Sequence, residues 1–294
     1  ILGAGTAGIM MARKMVRALD PDQWKVILVD KSSEHYYQPG FLFIPFGMYK
    51  KSDVVKPNRN FVARGVEYVV SPVEQLEPAE NRVTLGNGRV IHYDYLLIAT
   101  GTDIRPDQTE GMLDGGWRQN IFDFYTYEGA AALADAIARF EGGRIVVNVV
   151  EMPIKCPVAP MEFLFLANWY FTRKGLRDKV ELVYATPLPG AFTKPQASAR
   201  FGSMLESKDI HVETEYAAGW VDASRNVLGS YDEREIPYDL LVTVPLNMGA
   251  EFIGSAGLGD ELNFVKTDKY TLQSTQYETI FAMGDAANLP TSKA

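Results

Sequence analysis

Apolar positions along this chain fall into two periods. Residues 7–18 place Ile9, Met10, Met15, Val16 and the following Leu19 on or near one stripe of a helix, and Asp20-Pro21 ends the pattern. Next comes WKVILVD (24–30), an unbroken apolar run that closes on an acid, as buried parallel strands do. Ile1-Leu2 ahead of the glycines reads as the end of a strand. A strand of this kind needs about five residues, so the native chain is expected to begin a few residues upstream and to continue past Ala294.

Residues 35–51 (HYYQPGFLFIPFGMYKK) predict a loop with a short helix, rich in aromatics. Residues 66–100 predict a run of strands, with Asn87-Gly88 as a tight hairpin turn and DYLLIATG as a further buried strand. After TDIRPD, the segment YTYEGAAALADAIARFEGG is an amphipathic helix expected to close on Gly142-Gly143. There follow a strand RIVVNVV, a helix from Met161 to Lys174, a strand KVELVYAT, a helix ASARFGSMLESKDI and a strand HVETEY. A hairpin then returns to a buried strand DLLVTV, and the tail gives a strand at TIFAMGD. The same β-α-β order thus occurs near residue 1 and near residue 144. The expected fold class is α/β: two Rossmann-like nucleotide-binding domains, three-layered, with parallel sheets and β-hairpin or meander insertions. The expected division is 1–102 plus 240–294 for the first domain and 103–239 for the second.

Bulk properties narrow the function. A chain of 294 residues accommodates about two domains. Its net charge of −8 and pI near 5.1 argue against nucleic acid, whose binders carry a basic face. No run reaches the roughly 18 apolar residues of a membrane span; the greasiest, Met161 to Phe171, contains Glu162 and Asn168 and reads as a core helix. One cysteine makes no internal disulfide, and His35, His92 and His211 are scattered, so no Cys/His metal site is expected.

The chemistry starts with GAGTAG, which supplies Gly3, Gly5 and Gly8. The first glycine permits the tight turn, the second lets backbone approach a pyrophosphate, and the third lets helix and strand pack closely. The phosphate then meets a helix N-terminus. Asp30, at the end of the next strand, is the expected acceptor for an adenosine ribose, with Lys31 beside it. Thr100-Gly101 after one strand and Gly284-Asp285 after another complete the order expected of two-dinucleotide flavoproteins, which the whole chain resembles. That resemblance implies FAD in the first domain, with the Asp285 carboxylate on its ribityl chain.

In the second β-α-β unit the glycines are missing. The corresponding stretch is NVVEMPIKCPVAPME, where Pro153, Pro157 and Pro160 are stiff and lack N–H groups. No amide cradle for a second pyrophosphate is expected, so electrons must come from something other than NAD(P)H bound in the usual way. Cys156 just ahead of a helix is placed where a thiolate is favoured, and Glu162 in the first helical turn is a candidate for handling protons. KCPVAPME resembles the Cys-x-x-x-Pro-x-Glu stretch of sulfide:quinone oxidoreductases and of the flavoprotein subunit of flavocytochrome c sulfide dehydrogenases; DLLVTVP and GDAANLPTSKA are similar to their later segments.

The resemblance implies FAD, sulfide or a persulfide as reductant, and a persulfide relay in which Cys156 is the first cysteine and the second lies past Ala294. It implies that the cysteine turn faces the flavin and that Lys293 stands near the flavin pyrimidine. The loop HYYQPGF has no cysteine, so covalent flavin attachment there is excluded and a quinone is preferred to a cytochrome c as acceptor. Phe41, Phe43, Phe46 and Tyr49 are candidates for a quinone slot or ordinary core aromatics. Peripheral membrane contact is expected through a C-terminal region, and a homo-oligomer is compatible with the pattern. The alternatives are a type II NADH:quinone dehydrogenase-like flavoenzyme, or a flavoprotein without turnover that serves as a sulfur-carrier partner.

Overall fold

The computed structural model describes residues 1–290 and Lys293. Thr291, Ser292 and Ala294, the end of the GDAANLPTSKA stretch, lie outside the described residues. The chain forms two compact units: residues 1–36, 55–103 and 247–294 make the first, and residues 37–54 and 104–246 make the second.

In the first unit, strand Val26–Asp30 pairs in parallel with Val66–Val70, and Leu96–Ile98 pairs in parallel with Ile280–Ala282. Leu2 bridges both pairs, to Val29 on one side and Ile98 on the other. The first strand is thus a single bridging residue at the centre of a parallel arrangement. Helix Thr6–Ala18 covers it with Ile9 and Ala12, which pack on Val26 and Leu28. Leu2, Val29, Ile98, Ile280 and Ala282 belong to another cluster, shared with the antiparallel meander Val73–Glu77, Arg82–Leu85 and Val90–His92. The Asn87-Gly88 turn closes that meander as the sequence predicts, with Gly88 N–H donating to the Leu85 carbonyl at 2.8 Å.

The second unit holds a five-stranded parallel sheet in the order Ile121–Phe122, Leu240–Val244, Gly143–Val149, Val180–Ala185, Ile210–Glu213. Its strands Gly143–Val149 and Leu240–Val244 are mostly apolar because both faces are covered. The polar exception, Asn148, is fully buried and satisfied: its Nδ2 donates to the Val149 and Ala185 carbonyls, and its Oδ1 accepts from Thr243. Helices Tyr127–Arg139, Ala159–Arg173 and Pro195–Glu206 alternate with the strands, and an antiparallel sheet of Ala218–Asp222, Val227–Ser230 and Glu235–Pro237 follows.

Three expectations need adjustment. The strand Leu240–Val244 inserts between two strands of the second sheet, so the second unit runs to residue 246 rather than stopping at 239. Residues 37–54 also belong to the second unit, because Phe46 packs on Phe163 and Tyr170 and Phe41 packs on Tyr127. The helix Tyr127–Arg139 ends at Phe140, not at the glycine pair. Gly143 instead opens the strand at φ +118°, where a Cβ would lie 2.4 Å from a carboxylate oxygen of Asp239.

Leu182 is fully buried in the second sheet, whereas Tyr231 is 79% exposed. Leu182→Ala is expected to cost about 2–5 kcal/mol in chemical denaturation, and Tyr231→Ala to stay within about 0.5 kcal/mol of the parent.

Candidate functional site

The glycine turn of the first unit is built by close approach. Gly3 adopts φ +101°, and a Cβ there would sit 2.4 Å from the Ala99 carbonyl oxygen. Gly8 presses its Cα against the Gly3 carbonyl, where a Cβ would fall 1.8 Å from the oxygen. Neither position tolerates a side chain, and together they seat helix Thr6–Ala18 directly on the turn. Gly5 is different: nothing lies within 4 Å of its Cβ position, and the residue is exposed. Space is therefore kept on the ligand side of the turn and eliminated on the packing side, as the fingerprint predicts.

The helix that follows is open to an anion. Gly5 is its N-cap, no side chain caps it, and no acid stands in its first turn. Its leading N–H groups and dipole point into that open space. Asp30 stands at the edge of the same turn, oriented by the N–H of Ala4 on Oδ2 and by the N–H of Ser32, 2.8 Å from Oδ1. Each oxygen retains acceptor capacity for a ribose hydroxyl. The Thr100 hydroxyl is buried and has no hydrogen-bond partner among the described residues, an orphan polar atom at the same strand ends. Gly101 follows it at φ +68°.

The turn Gly284–Ala286 closes the set, its Gly284 Cβ position 3.4 Å from the Cβ of Ala7 in the first turn of the helix. Asp285 is half-buried in that turn. Lys293 ties the turn down: its Nζ donates to the carbonyls of Asp285 at 2.9 Å and Ala287 at 3.1 Å, and lies 3.6 Å from the centroid of the Phe264 ring. Burial lowers its pKa, opposed by the charges of Asp285 and Asp260. The structure therefore gives Lys293 a main-chain anchoring role. Lys31, expected beside the ribose, is exposed and pairs with Asp103 at 3.0 Å. An orphan hydroxyl, an uncapped helix and an open glycine fit a dinucleotide, whose pyrophosphate the helix start would receive and whose ribose Asp30 would accept.

The second unit has no such cradle. Strand Gly143–Val149 leads into a turn with a cis Met152–Pro153 peptide, then Cys156 at φ +50°, then helix Ala159–Arg173. Cys156 is exposed and is the chain's only cysteine. Its carbonyl accepts from the Ala159 N–H at 3.0 Å and from the Tyr125 hydroxyl at 3.2 Å. Lys155 donates to Gln38 Oε1 at 2.8 Å, which ties the turn to the 37–54 segment within the same unit. Glu162 lies in the first turn of the helix, its carboxyl raised above the usual range by desolvation. Of the aromatics considered for a quinone slot, Phe41 and Phe46 are buried core residues, while Phe43 and Tyr49 pair at 5.2 Å with Tyr49 at the surface. Sequence reading missed Tyr125 and the buried Asp123, which pairs with the partly exposed Arg118; their local signal is Asp123 three residues before the N-cap Thr126. Among the described residues no cluster of His, Cys, Asp and Glu could hold a metal.

Residues 1–148 match the family described as pyridine nucleotide-disulphide oxidoreductase, and the chain belongs to that family. Two curated relatives are more specific. The chain is 28% identical over 300 residues to the mitochondrial sulfide:quinone oxidoreductase of Dictyostelium discoideum, and 28% identical over 299 residues to that of Mus musculus. Both matches cover 100% of this chain and 66% of the relative, so the chain spans just under two thirds of their length. Its fold superimposes on the solved sulfide:quinone oxidoreductase of Aquifex aeolicus with a TM-score of 0.85 at 21% identity, covering 98% of this chain and 68% of that one.

Gly5→Ala is expected to leave thermal stability of the flavin-free protein unchanged, since the added methyl meets open space, yet to weaken retention of FAD through gel filtration. Gly8→Ala is expected to lower both, because its methyl collides with the Gly3 carbonyl.

Proposed function

We propose that this chain carries the catalytic centre of an FAD-dependent sulfide:quinone oxidoreductase, with Cys156 as the sulfur acceptor. The observation that carries the reading is an asymmetry between the units. The first retains an open glycine turn and an uncapped helix, whereas the second has replaced its counterpart with a proline-bound cysteine turn. Likeness to sulfide:quinone oxidoreductases over the full chain supports the same substrate pair.

FAD, when bound, supplies two-electron acceptance and release. Gly5 and the leading N–H groups of helix Thr6–Ala18 would hold its pyrophosphate, Asp30 its ribose and the Asp285 turn its ribityl chain, and Thr100 would offer a hydroxyl. Cys156 acts as thiolate. Its sulfur would form a bond with the sulfur of hydrosulfide, releasing one proton and two electrons and leaving a cysteine persulfide; the two-electron oxidation is the chemistry that FAD would supply. A second hydrosulfide or another acceptor removes the zero-valent sulfur and restores the thiolate. The electron pair and two protons convert a quinone to its quinol. Glu162, in the first turn of the helix that follows and with its pKa raised by desolvation, is the group assigned to take up the proton released at Cys156. Lys293 keeps the Asp285 turn in place through the Asp285 and Ala287 carbonyls. No helix among the described residues is long and apolar enough to cross a membrane. Quinone access is proposed from a peripheral position on the membrane surface, on the likeness to sulfide:quinone oxidoreductases.

Anaerobic titration of the FAD-loaded protein decides the reading. Sulfide is expected to bleach the flavin absorbance and added quinone to restore it; bleaching by NADH at a comparable rate would instead support an NADH:quinone dehydrogenase. Reduction by sulfide without quinone turnover would support a sulfur-carrier role. Cys156→Ala is expected to keep photoreduction of the flavin and lose sulfide-driven bleaching. Because Glu162 titrates above the usual carboxylate range, activity should fall as pH drops through that raised value, and Glu162→Gln should flatten this acid limb in the pH–rate profile.

A further inference from the structure

The turn bearing Cys156 is held from beneath by a residue that belongs to no motif. Cys156 lies in the left-handed region at φ +50° and immediately precedes Pro157. Left-handed backbone is uncommon for a side-chain-bearing residue, and a following proline pushes its predecessor toward extended backbone. Such conformers persist where the surroundings over-determine them. Two donors converge on the Cys156 carbonyl. The Ala159 N–H, at 3.0 Å, is local to the helix start. The Tyr125 hydroxyl, at 3.2 Å, arrives from a different part of the unit.

We propose that Tyr125 is the positioning residue of Cys156: its phenol fixes the Cys156 carbonyl, and through it the backbone conformation that presents the thiol ahead of helix Ala159–Arg173. This rests on the reading of Cys156 as the sulfur acceptor.

The support under Tyr125 is itself rigid. Asp123 is fully buried, and its Oδ1 accepts from the N–H of Tyr125 at 2.9 Å, the N–H of Thr126 at 2.7 Å and the Thr126 hydroxyl at 2.8 Å. Its other oxygen faces Arg118 at 2.9 Å. Thr126 in turn caps helix Tyr127–Arg139 through the Gly129 N–H. The Tyr125 main chain therefore has no slack, and its ring packs against Phe124 at 5.1 Å, with the Lys155 ammonium 5.9 Å from its centroid. Burial raises the phenol pKa well above its usual value, reinforced by the negative charge available at Cys156, so the hydroxyl remains a donor at working pH. A chain of contacts thus runs from the buried Asp123 carboxylate, which faces the partly exposed Arg118, to the peptide that carries the thiol.

The test is Tyr125→Phe, which keeps the ring and removes the donor. FAD content is expected to match the parent, and the thermal midpoint to fall by only about 2–4 °C, the loss of one net hydrogen bond. Alkylation of Cys156 by iodoacetamide at pH 7 is expected to slow about fivefold, the worth of one net hydrogen bond. In stopped flow, the limiting rate of sulfide-driven flavin bleaching should fall by the same factor, with the half-saturating sulfide concentration unchanged. Tyr127→Phe, two residues along, should alter neither. An alkylation rate equal to the parent's in Tyr125→Phe overturns the inference. Slower alkylation with unaltered bleaching upholds the positioning role and removes Cys156 from the electron path, which is the failure of the functional reading instead.

Discussion

A van der Waals contact between two glycines governs the first unit. Gly8 rests on the Gly3 carbonyl at a distance no side chain permits, and this seats the helix N-terminus at the ends of the parallel strands. Everything else in the cradle takes its position from that seat: the open face at Gly5, the carboxylate of Asp30 beside the turn, and the Gly284–Ala286 turn against Ala7. The anion-binding property is produced by backbone alone, from uncapped N–H groups and their aligned dipoles. A phosphate site of this kind is lost entirely when the glycines go, because no side chain was supplying it.

The second unit shows what replaces it. Its strand and helix are retained, with the same parallel order and buried apolar runs, while the connection between them has changed chemistry. Prolines remove donors and restrict φ, so the turn presents a thiol rather than an amide cradle. A Rossmann scaffold tolerates such exchange because its loops sit at the strand ends and carry little of the packing.

Periodicity made the strands and helices legible, since buried parallel strands are continuous apolar runs and the helices carry one apolar stripe. The glycine turn was legible for a different reason: spacing reports a steric requirement that only glycine meets. What escaped reading was long-range and polar. Nothing local shows that Leu240–Val244 pairs with residues 120 positions upstream on one side and 95 positions upstream on the other, or that Phe46 packs on Phe163. Lys293 illustrates the same limit, since its motif match said where it belongs but not that its ammonium is engaged by the Asp285 and Ala287 carbonyls. Tyr125 was silent because a single aromatic before a helix start carries no spacing signal.

The insertion of Leu240–Val244 between Ile121–Phe122 and Gly143–Val149 also constrains the order in which the molecule can be assembled. As the chain leaves the ribosome, the strand Gly143–Val149 emerges nearly a hundred residues before the partner that completes its edge. The parallel strand Leu96–Ile98 waits longer still, for Ile280–Ala282. Both sheets therefore expose an unfilled hydrogen-bonding edge through most of synthesis, and a nascent chain stalled before residue 240 would present two of them to its neighbours or to a chaperone.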